Sequence, residues 1–382
     1  MKIGIVCYPT FGGSGVLATE LGMALSEKGY EVHFITYKQP VRLNFHPNIY
    51  YHEVSVPTYP LFDFPPYESA LASTMVNVIA NNSLDLLHVH YAIPHASAAY
   101  FAREILKKTG KDIPFITTLH GTDITLVGRD QMYAPVVTFS INESDAITAV
   151  SNNLREETFK SFKIEKDIHV IPNFVDVQRF YKSNKEHFKK MLAPSGERIL
   201  THVSNFRKVK RVEDVIRVFQ SVREIIPSKL LMIGDGPERQ MAEELARSLC
   251  IYNEVRFLGK QEEIDEILSI SDLFLLPSEY ESFGLSALEA MACGVPVIST
   301  NSGGLAEINE HGVTGYLSNV GDIQDMAKHA IHILSDDERL QQFKKAAIQH
   351  TRKFEKKHIV PMYEQLYKEV IAAYKSKKEV NI

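Results

Sequence analysis

The stretch DLFLLPS at residues 272–278, followed by ESFGLSALEAMACGVPVIST at residues 281–300, decides the fold of the second half of the chain. The first run is apolar and has the length of a buried strand. Residues Leu285 to Ala292 are helix formers, Gly294 ends the helix, and VPVI at 295–298 begins another strand. The stretch therefore predicts one β-loop-α-β unit.

The loop before this helix has the composition of an anion-binding site. Ser282, Gly284 and Ser286 are small or polar and lie where the helix is predicted to begin. Free backbone N–H groups and the positive end of the helix dipole would then face the crevice beyond the carboxyl end of the strand. We expect an anion to bind there.

Two carboxylates accompany the predicted anion site. Glu281 precedes the N–H donors, and Glu289 lies inside the helix. A carboxylate accepts paired hydrogen bonds well, so one glutamate could hold two ribose hydroxyls while the other holds a hexose hydroxyl. The alternative is that both are solvated charges on a helix face. Leu285 and Leu288 leave little room for a solvent face, which favours the binding role.

Length and composition limit the remaining possibilities. The chain has 382 residues, which predicts two domains of similar size, and its formal charge of −5 with no basic stripe disfavours a nucleic-acid partner. The sequence has neither a membrane-spanning stretch nor a signal peptide, so we expect a cytoplasmic protein that does not act in a membrane. Cys7, Cys250 and Cys293 are widely spaced in apolar contexts and are expected to be reduced thiols in the core.

A glycine-rich loop, GGSG at 12–15, follows the first predicted strand and leads into a helix predicted from about Val16. The run GSGVLA at 13–18 satisfies the dinucleotide fingerprint G-x-G-x-x-A, so a nicotinamide-dependent oxidoreductase is an alternative. The distance of the glycines from the strand disfavours it. The second strand also ends at Tyr37 without an acidic residue for a ribose.

Two further predicted strands end in histidines. The run DLLHVHY at 85–91 places His88 and His90 on one face of a strand, and His95 follows. A metal site is an alternative, but no cysteine or acidic cluster lies nearby in the sequence, so it is not favoured. His120 ends the strand PFITTLH at 114–120, where it could bond a sugar hydroxyl at the crevice.

A basic loop, SNFRKVKR at 204–211, follows the predicted strand RILTHV at 198–203. Such a charge cluster is commonly a solvated patch. Directly after a buried strand, its cations are better placed to neutralise a diphosphate. The repeated unit of buried strand, polar loop and helix predicts an α/β fold with two Rossmann-like, doubly wound domains that face each other across a cleft.

These motifs together resemble the retaining nucleotide-sugar glycosyltransferases of the GT-B architecture, in glycosyltransferase family 4. Glu281 and Glu289 match the family signature E-x(7)-E, and the resemblance covers most of the chain. It implies that Glu289 binds the ribose and Glu281 the transferred sugar. It also implies an acceptor-binding domain at 1–168, completed by a helix at 355–382 that crosses back, and a nucleotide-sugar-binding domain at 169–354.

The resemblance assigns further donor contacts. The family pattern of the basic loop is G-R-x-x-x-x-K. Lys210 matches its lysine, whereas Asn205 stands where its arginine is expected, so Arg207 would have to complete the pair of cations. The family also implies that the loop at Gly13 faces the donor phosphates and that the backbone near Leu258 bonds the edge of the base.

The combination of FGGSG, HVHYAIPHA, TLHGTD, VSNFRKVKR and ESFGLSALEA resembles family members that transfer N-acetylglucosamine from UDP-N-acetylglucosamine to L-malate, at the start of bacillithiol synthesis. A small dicarboxylate acceptor would need hydroxyl and cationic donors, for which Ser14, Tyr91, Thr122 and Arg129 are the candidates. Arg129 could instead be a surface arginine. No cofactor or essential metal is expected, and a homo-oligomer is compatible with the sequence.

The expected chemistry is front-face substitution, because no carboxylate nucleophile is apparent. The leaving phosphate would help to deprotonate the acceptor, while Lys210, Arg207 and the backbone of Phe283, Gly284 and Leu285 stabilise its charge. Glu281 and His120 complete the predicted catalytic set. The alternatives are a transferase with another small soluble acceptor, a UDP-sugar epimerase, a non-catalytic sugar-nucleotide sensor and the oxidoreductase.

Overall fold

The computed structural model describes residues 1–56, 63–126 and 130–380, with the side chains of residues 126 and 378–380 left aside. The chain forms two compact units. The first consists of Met1–Asn173 together with Lys357–Ile382, and the second of Phe174–Lys356. The first unit is therefore built from two separate segments of the chain.

A parallel sheet of seven strands forms the first unit. Its strands are β1 (Lys2–Val6), β2 (Glu31–Thr36), β3 (Ile49–Glu53), β4 (Leu86–His90), β5 (Phe115–Leu119), β6 (Ala146–Ala149) and β7 (Ile168–Val170). The order across the sheet is β3-β2-β1-β4-β5-β6-β7, so the direction of winding reverses between β1 and β4. Ligands of open α/β sheets bind beyond the carboxyl ends of the strands at such a reversal.

The second unit repeats this plan with a parallel sheet of six strands. Its strands are β8 (Arg198–Val203), β9 (Ser228–Ile233), β10 (Val255–Gly259), β11 (Leu273–Leu276), β12 (Val297–Thr300) and β13 (Gly315–Ser318). The order is β10-β9-β8-β11-β12-β13, and winding reverses between β8 and β11. The predicted fold class of two doubly wound α/β domains is confirmed.

Helices lie between the strands of both sheets and also follow β13. They are α1 (Gly13–Glu27), α2 (Tyr67–Asn82), α3 (Ser97–Lys108), α4 (Ala134–Glu143), α5 (Asn152–Ser161), α6 (Glu186–Leu192), α7 (Val212–Arg223), α8 (Arg239–Ser248), α9 (Ile264–Ile270), α10 (Leu285–Ala292), α11 (Leu305–Ile308), α12 (Ile323–Leu334), α13 (Asp337–Thr351) and α14 (Lys356–Val380). Within the described ranges, none combines the length and the apolar composition that crossing a membrane requires.

The stretch at 272–300 folds as predicted. Strand β11 occupies its first apolar run, helix α10 covers Leu285–Ala292, and β12 follows. Gly294 adopts a φ of 78°, a left-handed conformation that favours glycine and ends the helix. Every residue of β11 and β12 is buried, as expected for strands covered by helices on both faces.

A buried carboxylate anchors the start of this stretch. The Asp272 side chain, 1% exposed, forms ion pairs with Lys189 at 2.7 Å and with Lys344 at 2.8 Å. It also accepts a hydrogen bond from the backbone N–H of Ile199 in β8 at 3.1 Å. Burial alone would raise the pKa of Asp272, but the charges of Lys344 and Lys189 outweigh burial and lower it. The cluster fixes β11 beside β8, which places their carboxyl-end loops next to each other.

Helix α14 belongs to the first unit although it comes last in the chain. It buries the rings of Tyr363 and Tyr367 completely. The Tyr367 hydroxyl lies 2.6 Å from Nδ1 of His88 in β4. The helix therefore covers part of the first sheet and buries the His88 side chain.

Three details differ from the sequence-based expectations. Helix α1 begins at Gly13 rather than near Val16, because glycine and serine continue the first turn. The boundary expected at 168/169 falls inside β7, whereas the two units divide after Asn173. Cys7 and Cys293 are buried free thiols, but the prediction for Cys250 was wrong: its side chain is exposed just beyond α8, at a φ of 58°.

Candidate active site

The reversal point of the second sheet brings Lys210 and Glu281 together. Lys210 follows β8 and Glu281 follows β11, and Nζ of the lysine lies 2.6 Å from Oε1 of the glutamate. Ser278 donates a hydrogen bond to the same carboxylate oxygen at 2.9 Å. Because the two charged side chains are only 18% and 13% exposed, the ion pair is largely shielded from solvent.

The two loops are also joined through their backbones. The N–H of Glu279 donates to the carbonyl of Val209 at 2.8 Å. Gly284 begins helix α10 at a φ of 96°, where a Cβ would lie 2.6 Å from a methyl group of Leu305. Glycine has no side chain to cap the helix, and its carbonyl accepts from the N–H groups of Ala287 and Leu288, so an anion would meet the N–H groups of Leu285 and Ser286. This geometry suits the anion site that the sequence predicted.

Two glycines after β12, Gly303 and Gly304, contact the backbone of the Glu281 loop. The N–H of Gly304 donates to the carbonyl of Glu281 at 2.8 Å. Gly303 has a φ of 65°, and a Cβ on it would lie 2.0 Å from the same carbonyl oxygen. Ser302 adds a hydrogen bond from its hydroxyl to the carbonyl of Glu279 at 2.7 Å. Only glycine permits this approach, so the position of Glu281 depends on the chain that follows β12.

The other predicted donor residues lie around this centre. Glu289 is inside α10 with 4% of its surface exposed, so it is not a solvated charge on a helix face. Phe283 is 2% exposed and packs edge-on against Phe354, which leaves its backbone as the part that could meet a ligand. Asn205 and Arg207 are exposed in the basic loop.

Leu258 is partly buried in β10, and its carbonyl accepts a hydrogen bond from Nε2 of Gln261 at 2.6 Å. A contact between this backbone and a base stays a prediction. The same holds for the roles assigned to the two glutamates and to the cations of the basic loop.

His202 supports the basic loop, and sequence reasoning missed it. Its Nδ1 donates to the carbonyl of Leu275 at 2.8 Å, and its Nε2 accepts from Oγ of Ser204 at 2.8 Å. Burial lowers the pKa of His202 to about 4, so the ring is neutral. The signal in the sequence was a histidine near the end of the apolar run RILTHV, because Ser204 follows this run directly.

The reversal point of the first sheet joins two of the predicted acceptor residues. The Tyr91 hydroxyl, after β4, donates to Oγ of Ser14 in the first turn of α1 at 2.8 Å. A Cβ on Gly15 would lie 2.3 Å from the carbonyl of Tyr8, so glycine lets α1 start against the end of β1. Burial raises the pKa of Tyr91 to about 12, which keeps its hydroxyl protonated. Gly13, in the same turn, is exposed.

Thr122 is exposed in a short helical turn, Thr122–Leu126, after β5. The structure brings Ser14 and Tyr91 into direct contact. Arg129 lies outside the described residues.

Asp123 fastens the loops after β4 and β5 to each other, and its role was not predicted. Its carboxylate accepts hydrogen bonds from the backbone N–H groups of Ala92 at 3.0 Å, Gly121 at 3.0 Å and His120 at 3.3 Å. Burial raises its pKa to about 6, although those three N–H groups act in the opposite direction. The sequence TLHGTD contained the residue but not its distant partner.

The histidines of the first unit contact one another. Nδ1 of His90 lies 2.8 Å from Nε2 of His120. His95 donates from Nδ1 to the carbonyl of His90. In the described part of the chain, no group of three or more His, Cys, Asp or Glu side chains has an arrangement that could hold a metal ion.

Comparisons with known proteins agree with this architecture. The model of the family described as Glycosyltransferase Family 4 matches residues 11–179, and that described as Glycosyl transferases group 1 matches residues 183–350. The N-acetyl-alpha-D-glucosaminyl L-malate synthase of Bacillus anthracis is 48% identical over 381 residues, which cover 99% of each chain.

Solved structures share the fold. A sucrose-phosphate synthase from Thermosynechococcus elongatus superposes with a TM-score of 0.82 at 21% identity, over 98% of this chain and 100% of that one. Anabaena Alr3699/HepE, in complex with UDP and glucose, gives a TM-score of 0.79 at 19% identity, over 97% and 99% of the two chains. With the signature glutamates on either side of the start of α10 and a near full-length relative at 48% identity, the chain belongs to glycosyltransferase family 4.

Proposed function

We propose that the protein is a retaining glycosyltransferase that moves N-acetylglucosamine from UDP-N-acetylglucosamine to the hydroxyl of L-malate, the first step of bacillithiol synthesis. The observation that carries this proposal is the 48% identity with a named N-acetyl-alpha-D-glucosaminyl L-malate synthase over 99% of both chains. The identity extends over both units of this chain.

The second unit supplies the donor half of the proposed site. The diphosphate would lie against the start of α10, where the helix dipole and the N–H groups near Gly284 favour negative charge. Lys210, with Arg207, would neutralise it. Glu281 would bind the transferred sugar and Glu289 the ribose, both as hydrogen-bond acceptors. This assignment is supported by the shielded Lys210–Glu281 pair at 2.6 Å.

The first unit supplies the acceptor half. Ser14 and Tyr91, already hydrogen-bonded at 2.8 Å, offer hydroxyl groups at the positive end of α1, and Thr122 offers another from the neighbouring loop. Arg129 stays a candidate for pairing with a carboxylate. A dicarboxylate suits these donors because it presents only acceptor oxygens besides its own hydroxyl.

The transfer would proceed by front-face substitution. The bond between the sugar and the leaving phosphate breaks while the malate oxygen attacks from the same side, and the leaving phosphate takes the malate hydroxyl proton. Lys210, Arg207 and the backbone from Phe283 to Leu285 stabilise the charge that develops on the diphosphate. One such contact contributes roughly 2–4 kcal/mol to lowering the barrier. No step requires a metal ion.

An assay of nucleotide release tests the proposal. The protein is incubated with UDP-N-acetylglucosamine alone and with L-malate, D-malate, inositol phosphate or simple sugars, and free UDP is measured. Rapid release with L-malate and slow release with the other acceptors is expected. Equal or faster release with another acceptor would show that malate is not the preferred acceptor. Conversion of the donor without any acceptor would favour an epimerase.

A further inference from the structure

A row of buried imidazoles leads from the interior of the first unit to His120. His88 and His90 lie on the same face of β4, with ring centroids 4.4 Å apart. The centroids of His90 and His120 lie 5.0 Å apart, and their Nδ1 and Nε2 atoms are separated by 2.8 Å. His88 and His90 are fully buried, whereas His120 keeps 7% of its surface exposed. His120 is therefore the least buried member of the row.

The rings of this row are neutral at physiological pH. Burial lowers the pKa of His88 to about 3, and burial together with the neighbouring imidazoles lowers that of His120 to about 3. Burial also lowers the pKa of His90 well below its usual value. Each ring then carries one N–H and one bare nitrogen, so the hydrogen bond between His90 and His120 has a definite direction.

The surroundings of His90 decide that direction. Its Nε2 is buried and has no hydrogen-bond partner among the described residues. If His120 donated from Nε2 to Nδ1 of His90, the only proton of His90 would sit on this isolated Nε2. A buried N–H without an acceptor is rare in folded proteins, because it has lost its hydrogen bond to water without gaining another. In the reverse arrangement, the proton of His90 lies on Nδ1 and is used in the bond to His120.

We propose that His90 is a positioning residue that holds His120 in the tautomer protonated on Nδ1, so that His120 meets its substrate as a hydrogen-bond donor. Nε2 of His120 is occupied by the N–H of His90, and the only other ring nitrogen carries the proton. His120 is then unable to act as the base that deprotonates the acceptor. This refines its predicted catalytic role, and the kinetic part of the test rests on the proposed function.

Two substitutions of His90 test the proposal by kinetics. His90→Asn keeps an N–H close to the position of Nδ1, whereas His90→Leu has a similar volume and no donor. We expect His90→Asn to retain kcat/KM for UDP-N-acetylglucosamine and L-malate within about threefold, and His90→Leu to lose about 10- to 100-fold. The same exchange at the exposed His311 of the second unit serves as the control. Equal activity of the Asn and Leu variants, both folded by circular dichroism, would overturn the proposal.

Nuclear magnetic resonance tests the tautomer without any substrate. The full chain is labelled with ¹⁵N-histidine, and the ring of His120 is identified among the 15 histidines as the one missing from His120→Gln. We expect long-range ¹H–¹⁵N correlations to show Nδ1 of His120 protonated and Nε2 bare. The opposite pattern would refute the proposal even if the glycosyl transfer itself is demonstrated. The labelled His90→Leu variant is expected to show a mixture of the two tautomers.

Discussion

Lys210 has two potential anionic partners in the proposed reaction, and the structure contains one of them. Its ammonium group lies 2.6 Å from Glu281. A diphosphate at the start of α10 would carry more charge than a single carboxylate and would draw the lysine toward it. Glu281 would then be left with the Ser278 hydroxyl and a sugar hydroxyl as hydrogen-bond donors. Donor binding is thus expected to change the partner of the lysine.

Replacing Lys210 with Ala is expected to lower kcat by about 100- to 1,000-fold, because removal of one preorganised charge contact at a developing anion has effects of this size. Steady-state release of UDP measures the change. Lys208→Ala is the matched control, since Lys208 lies in the same turn with its side chain exposed. Near-normal turnover of Lys210→Ala would remove the lysine from the proposed mechanism.

At the scale of elements, the site depends on loops that touch through their backbones. The Gly303–Gly304 pair after β12 supports the carbonyl of Glu281, and the N–H of Glu279 is bonded to Val209 after β8. Three strand ends therefore determine where the Lys210–Glu281 pair lies. A change in one loop is expected to move side chains that belong to the others.

Gly303→Ala tests this dependence. The new Cβ would lie 2.0 Å from the carbonyl oxygen of Glu281 at a φ of 65°, so the loop must shift. Gly312→Ala is the matched control, because its φ of 79° imposes a similar backbone strain while nothing lies within 4 Å of the added methyl group. We expect Gly312→Ala to lose about 1–2 kcal/mol in the free energy of unfolding from backbone strain, and Gly303→Ala to lose more because the clash is added to the strain. Only Gly303→Ala should also lose more than about tenfold in kcat/KM.

The sequence alone was sufficient to predict the loops that follow the buried strands near the candidate site. Apolar runs followed by polar loops located β8 and β11, and both switch points carry residues that were predicted to bind ligands. The bounds of α10 were also correct, because Gly284 and Gly294 delimit a run of helix formers. Local patterns of this kind do not depend on the rest of the chain.

The supporting contacts were not predictable from the sequence, because they join residues that are distant along it. The Asp123 carboxylate accepts a hydrogen bond from the N–H of Ala92, and the His202 ring donates one to the carbonyl of Leu275. Pairing of two strands has to be known before such contacts can be inferred. The hydrogen bond between Ser278 and Glu281 is an exception, because these residues are close in sequence. Cys250 was misplaced for a related reason: its apolar neighbours suggested a core position, whereas it follows the last turn of a surface helix.

For the whole molecule, the buried neutral histidines determine how stability responds to acid. Burial lowers the pKa of four of them to between about 3 and 4, namely His88, His95, His120 and His202. In the unfolded chain a histidine titrates near 6.5, so the unfolded state binds more protons below that pH. Each such group contributes stability above about pH 6.5 that is lost as the pH falls toward its folded value. Asp123, whose pKa is raised to about 6, acts in the opposite direction but is a single group.

We therefore expect the free energy of unfolding to fall steeply between pH 6.5 and 4.5, by up to about 1.4 kcal/mol per pH unit for each of these histidines. Urea denaturation followed by circular dichroism at pH 7.5, 6.0 and 5.0 measures the slope. Replacement of the exposed His187 by Gln is the control and should leave the slope unchanged. A constant stability from pH 7.5 to 5.0 would contradict the neutral state assigned to the row of imidazoles.

The division of the chain gives a further prediction. The second unit is continuous, from Phe174 to Lys356, whereas the first needs Lys357–Ile382 as well as Met1–Asn173. A fragment of residues 174–356 should unfold cooperatively in urea. A fragment of residues 1–173 should do so only when a peptide of residues 357–380 is added, because that peptide supplies the buried rings of Tyr363 and Tyr367. Cooperative unfolding of residues 1–173 alone would show that α14 is dispensable.

The late position of α14 also matters during synthesis on the ribosome. The sheet of the first unit emerges early, yet the helix that covers His88 is translated only after the whole second unit has been made. At elongation rates of about 5–20 residues per second, the nascent sheet waits on the order of ten seconds or more for its last helix. During that interval a set of apolar and imidazole side chains is open to chaperones, and the second unit has time to fold first.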